Sequence, residues 1–180
     1  MTQASHAHQF IIVGSGGNEH DLIQLAQHLA PGSPLLTVRG TVAIDGGFAF
    51  FHRLPDRSID EADITERIPV LAEFIQDTTA SHGFAKAPIA IGYSNGATMA
   101  AALLLTTPRL LAGAILFRPL SPFRDEPTTR LDGMPVLIID GEKDTRRSPG
   151  DGARLPERLR DAGAMVAHYM LQAHRTTTSR

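Results

Sequence analysis

The chain contains no cysteine. Disulfide scaffolds, thiolate metal sites and a cysteine nucleophile are therefore excluded. It also lacks an excess of either charge: 17 Lys and Arg oppose 19 Asp and Glu, leaving −2. That balance offers no electrostatic case for nucleic acid or an anionic membrane as a partner. No stretch approaches the roughly 18 apolar residues of a membrane span. The longest run, Ala97 to Leu105, reads as a buried helix. The amino end, MTQASHAHQFIIV, has no basic n-region, and its apolar part is too short for a secretory signal. The expectation is a cytoplasmic protein. Repeats, low-complexity tracts and linkers are missing too. What is present is 180 residues that are 42% hydrophobic and 20% charged, the mix of one globular core. We expect a single domain over 1–180, with 1–8 as a disordered tail.

Short apolar runs alternate with longer helical patterns. Phe10–Val13, Leu35–Val38, Ile89–Ile91, Ala114–Phe117, Val136–Ile139 and Val166–Met170 read as strands. Most are apolar at successive positions, as a parallel strand buried on both faces requires. Between them, Leu22, Leu25, Ala26 and Leu29 recur at helical spacing, and Pro31-Gly32 ends that helix. Ile64, Ile68, Leu71 and Ile75 mark a longer helix that ends near Gly83. A third helix is expected over 96–106 and a fourth over 154–162. The rhythm predicts a three-layer α/β/α sandwich around a mainly parallel sheet, with ligands beyond the carboxyl ends of the strands. Asp45-Gly46-Gly47, between Val42/Ile44 and Phe48/Phe50, breaks the rhythm and signals a hairpin. It is either a wall of the site or a plain surface hairpin.

Gly92-Tyr93-Ser94-Asn95-Gly96 matches G-x-S-x-G, with the strand IAI before it and the helix ATMAAALLL after it. About 0.07 such matches are expected by chance, so the motif carries weight. A serine on a sharp strand-to-helix turn exposes its hydroxyl at the sheet edge. The flanking glycines avoid a collision of Cβ with strand and helix. The bland alternative is a serine that merely caps the helix. A nucleophilic serine needs a histidine base oriented by a carboxylate. Downstream, His168 lies within the last strand pattern and His174 in the loop after it. Asp140, Glu142 and Asp144 compete as the acid. The backbone N–H of Asn95 supplies one oxyanion donor, and Gly14-Ser15-Gly16-Gly17 offers a second, for which Ser15 is the choice. Phe48, Phe50 and Phe51 offer apolar wall. Arg39 or Arg53 offers a seat for a substrate carboxylate, although a solvated surface charge is the commoner fate of an arginine. His6-x-His8 falls in the expected tail, and His20, His28, His52 and His82 show no ligand spacing, so neither metal nor cofactor is expected.

GSGGNEHDL, the VRG at 38–40, FFHRL at 50–54, GYSNGA, the FRPL at 117–120, GEKD and the late histidine stand in one order. Together they resemble the carboxylesterase/phospholipase family of α/β-hydrolases, in its bacterial predicted-esterase branch, over about residues 10–174. The resemblance implies Ser94 as nucleophile, Asp144 as acid, His174 as base, and the N–H groups of Ser15 and Asn95 as the oxyanion hole. It implies a small-molecule ester as substrate, with thioester or lysophospholipid cleavage as alternatives; the short ends of the chain motivate another, a binding protein without turnover. The chain departs from the family pattern at Val13 and Ala173, where histidine and glycine are usual. It is also shortened at both ends, with six residues after His174. A missing terminal helix would bare apolar sheet surface, which a homodimer would hide. A dinucleotide fingerprint in IIVGSGG, with Arg39 at a 2′-phosphate, is opposed by Glu19 where glycine or alanine is needed.

Overall fold

The computed structural model describes residues 10–13, 20–84, 86–125, 129–142 and 151–172. Strands β1 (Phe10–Val13), β2 (Leu35–Val38), β5 (Ile89–Tyr93), β6 (Gly113–Phe117), β7 (Pro135–Gly141) and β8 (Met165–Leu171) form one sheet. Its order is β2-β1-β5-β6-β7-β8, and every neighbouring pair is parallel. β3 (Val42–Ile44) and β4 (Gly47–Ala49) pair antiparallel as a separate hairpin, as the Asp45-Gly46 signal predicts. Gly46 holds φ 83°, a turn conformation that glycine adopts without cost.

The helices are α1 (Ile23–Leu29), α2 (Glu61–Ser81), α3 (Asn95–Thr106) and α4 (Asp151–Asp161). α1 packs with Leu35, Ile89, Ile91, Ile115 and Phe117. α2, α3 and α4 share a larger core with Ala90, Ala114, Leu116, Val136 and Ile138. Successive strand side chains alternate between faces, so these two sets are the two sides of the sheet. The three-layer expectation therefore holds. α2 starts on Asp60, whose carboxylate accepts from the Asp63 N–H at 3.1 Å. Its buried stripe is Ile64, Ile68, Ala72 and Ile75, and that packing carries the helix through Pro69. α3 is buried from Asn95 to Leu105 because glycine, alanine and leucine dominate it all round. One face of the edge strand β8 is uncovered, with Met165, Tyr169 and Leu171 each about 60% exposed.

Two strand ends determine the site. Gly40, just after β2, lies directly against β4: a Cβ there would strike the Ala49 carbonyl and stand 2.5 Å from the Phe50 nitrogen. The residues after β4 are thereby laid over the end of β2. Gly92 plays the same part between β5 and α3, where a Cβ would lie 2.6 Å from the Ala97 Cα.

Candidate active site

Ser94 joins β5 to α3 with φ 52° and ψ −113°. A non-glycine residue in that region costs on the order of 1 kcal/mol, and such outliers gather at functional sites. Surrounding bonds hold it there. The Ser94 N–H donates to Phe117 O at 2.8 Å, and its carbonyl accepts from the Thr98 N–H at 3.0 Å and the Thr98 hydroxyl at 3.1 Å. The Ser94 hydroxyl makes no capping bond to the helix. The capping alternative fails on both counts, since a cap needs extended backbone and a bonded side chain. The half-buried hydroxyl stands at the amino end of α3, whose partial positive charge favours developing negative charge.

Asn95 is the first residue of α3, so its N–H has no acceptor within the helix. Its side chain does something the motif did not suggest. Asn95 is 6% exposed. Its Oδ1 accepts from the Phe50 N–H at 2.7 Å, and its Nδ2 donates to Phe51 O at 3.2 Å. The strap after the hairpin is thus fastened to the serine turn. A second fastening comes from α2. Asp63 Oδ2 accepts from the His52 N–H at 2.7 Å and from His52 Nδ1 at 3.0 Å. Arg67 Nε donates to Asp63 Oδ1 at 2.9 Å, and Arg67 Nη1 reaches Thr41 Oγ1 at 2.8 Å. Burial alone would raise the Asp63 pKa, but the hydrogen bonds from Arg67 and His52 outweigh it and hold the carboxyl below 3.8.

Asp140 and His168 are paired with each other. His168 Nε2 lies 2.9 Å from Asp140 Oδ2, with side-chain exposures of 18% and 2%. His168 aligns with Ile138 on β7, and β8 is three strands from β5. Three strand spacings are about 14 Å, beyond the reach of an imidazole toward Ser94. The geometry excludes His168 as the base, and a buried Asp140 bound to it is spoken for. Glu142 is exposed just after β7, its N–H bonded to Leu171 O at 3.0 Å, while the candidates Ser15, Asp144 and His174 lie outside the described residues.

The substrate-wall candidates separate. Arg39 is exposed and lies 4.3 Å over the Phe48 ring at the hairpin. Arg53 Nη1 donates to the Arg57 carbonyl at 2.8 Å, bracing its own turn. Phe51 is 1% exposed and belongs to the main core, so its ring presents no surface to a ligand. Sequence reasoning passed over Arg118. It follows β6, one step past the Tyr93–Phe117 pair, with φ 54°, and its Nη1 donates to the Tyr93 hydroxyl at 2.9 Å. The FRPL motif contained it, but neither its backbone strain nor its tyrosine partner has a local signal. Among the described residues no three His, Asp or Glu side chains are grouped to hold a metal. No described helix is long and apolar enough to cross a membrane.

A strained serine at a strand-to-helix turn, on the carboxyl edge of a parallel sheet covered on both faces, defines the α/β-hydrolase class. Comparison with known proteins narrows this. The family model for phospholipase/carboxylesterase matches residues 35–177, and the chain belongs to that family of hydrolytic enzymes. MhqD of Bacillus subtilis (strain 168) is 39% identical over 160 residues, covering 88% of this chain and 80% of MhqD. The structure of the Bacillus cereus carboxylesterase superposes with a TM-score of 0.87 at 33% identity, over 95% of this chain and 82% of that one. A carboxylesterase from Mesorhizobium loti gives 0.86 at 29% identity, over 91% of this chain and 79% of its own.

Proposed function

We propose that the protein is a serine esterase that cleaves small carboxylic esters through an acyl-enzyme, with Ser94, Asp144 and His174 as its triad. The observation that carries this reading is the left-handed backbone of Ser94 with its hydroxyl unused by the helix. Ser94 Oγ attacks the ester carbonyl while His174 takes its proton. The carbonyl oxygen gains the charge and is held by the N–H groups of Asn95 and Ser15. Collapse breaks the bond to the leaving oxygen, which receives the proton from His174. Water, deprotonated by His174, then attacks the acyl-enzyme and frees the acid and Ser94. Asp144 fixes the imidazole tautomer and stabilises its positive form. The exclusion of His168 supports His174, the one other histidine downstream of Ser94. Every catalytic group in this cycle is a side chain or backbone N–H of the protein, and the co-reactant is water, so the reaction as proposed uses no cofactor.

Ser94→Ala should abolish hydrolysis of p-nitrophenyl acetate and labelling by a fluorophosphonate, and unchanged turnover would refute the assignment. Turnover of the parent should rise with pH through a histidine value on the order of 6.5. Lengthening the acyl chain tests the lysophospholipid alternative, which the word phospholipase in the family description keeps in view. Rates that climb steadily to long chains would favour it over small esters.

A further inference from the structure

We propose that the side chain of Asn95 is a positioning residue: it braces the serine turn against the strap at 50–52 and so aims the oxyanion-binding N–H of its own backbone. The inference rests on the esterase reading above and deepens it.

The amide uses its oxygen and its nitrogen on consecutive backbone groups, Phe50 N–H and Phe51 C=O. A flipped amide would set donor against donor and acceptor against acceptor, so the bonds fix the orientation as well as the distance. The strap is a firm abutment. Behind it, Gly40 lets the backbone of Ala49 and Phe50 lie in direct contact. On its far side, Asp63 holds both the N–H and the ring of His52, and Arg67 holds Asp63. A buried amide that spans 44 and 45 residues of sequence to reach this strap is more than a local cap.

What the brace resists is also visible. Ser94 is strained at φ 52°, and rotation about its ψ and the Asn95 φ would relax it. The same rotation turns the peptide plane that carries the Asn95 N–H, and the donor would swing off the oxyanion. The Ser94 carbonyl on the same plane is held by the Thr98 N–H and hydroxyl, and the side chain pinned at two points fixes the Asn95 Cα about which the plane would turn. The hydrogen bonds of the brace, made before substrate arrives, thereby pre-organise a donor that matters only in the transition state.

The test compares Asn95→Ala and Asn95→Gln with the parent, counting active sites with a fluorophosphonate. For Asn95→Ala we expect kcat per titrated site to fall about tenfold to a hundredfold, short of the loss caused by deleting a donor outright. KM should stay within about twofold, because ground-state binding does not use the oxyanion donors. Affinity for an aryl trifluoromethyl ketone, whose hemiketal oxygen occupies the oxyanion position, should fall by the same factor as kcat/KM. Asn95→Gln, which keeps both amide groups on a longer stem, should recover part of each loss, and it serves alone if the alanine variant does not fold. A melting temperature that drops while kcat per site and ketone affinity hold would overturn the inference, since that is the signature of a purely structural amide. A parent that neither reacts with the fluorophosphonate nor binds the ketone overturns the esterase reading itself, and the inference with it.

Discussion

Replacing Gly92 with alanine disturbs the serine turn by volume alone. Gly92 is not in the left-handed region, so its backbone conformation accepts alanine. The new Cβ would stand 2.6 Å from the Ala97 Cα and 2.8 Å from the Ala97 nitrogen. Carbon atoms pack at about 3.5–4.0 Å, so the first turn of α3 must retreat from β5 by about 1 Å. No flexible side chain can give way, because both neighbours are backbone inside a helix buried all round. Overpacking of this kind costs about 1–3 kcal/mol. At about 2–4 °C per kcal/mol for a chain of this size, the melting temperature should fall by several degrees. A displacement of about 1 Å at the reacting atom costs about a hundredfold in rate, which sets the expected loss in kcat/KM on p-nitrophenyl acetate. Gly113→Ala is the matched control. Its Cβ would meet Pro135 O at 2.7 Å, an equal strain, but at the opposite end of the sheet. That position lies about 13 Å along β6 from Phe117. It should lower stability and leave turnover per folded molecule unchanged. Gly92→Ala with kcat/KM within twofold of the parent, or Gly113→Ala with the same kinetic loss, would refute the reasoning.

Three further predictions concern strain and charge. Ser94→Gly should raise stability by about 1 kcal/mol in urea denaturation while removing activity, because glycine adopts φ 52° freely; a destabilised variant would contradict the strain. His168→Leu should cost about 3 kcal/mol by leaving the Asp140 carboxylate buried without its imidazole partner. The double change Asp140→Leu with His168→Leu should cost less than that single, and strictly additive losses would show the pair to be uncoupled. Asp63 is depressed in the folded state, so its ionised form adds stability that is present above its ordinary 3.8 and lost as pH falls through the lowered value. Asp63→Asn should therefore lie about 1 kcal/mol below the parent at neutral pH, with the gap closing as acid is added; a gap that persists in acid would argue against the linkage.

Features carried by neighbouring residues were legible in the sequence. Successive apolar positions such as Ile89-Ala90-Ile91 placed all six parallel strands, β1 and β2 with the bounds found and the other four with ends extended by one or two residues in the structure. Asp45-Gly46 placed the hairpin turn, and the glycine before Tyr93 was assigned the steric role it has. Features that depend on contacts far apart in sequence were not. Nothing local ties Asn95 to Phe50, or His52 to Asp63, so the wall of the site was reduced to a choice between two roles for a hairpin. Phe51 looked like wall because an aromatic residue beside a hairpin suits either water or core; the fastening of its carbonyl to Asn95 turns the strap inward. Asp140 stood beside Glu142 and Asp144, and His168 beside His174, because residue type and order are all a sequence shows. Strand spacing is what removes His168, and spacing is a property of the assembled sheet.

The burial of α3 on every side has a consequence for how this enzyme can vary. A helix with no watered flank cannot trade side chains one at a time, so the segment that carries the serine is frozen in composition from Asn95 to Leu105. Adaptation to a new substrate, by selection or by design, has to come from the hairpin whose strap is fastened to the serine turn. There the hairpin tip at Asp45-Gly46 meets solvent, and a change in length or charge disturbs no buried neighbour.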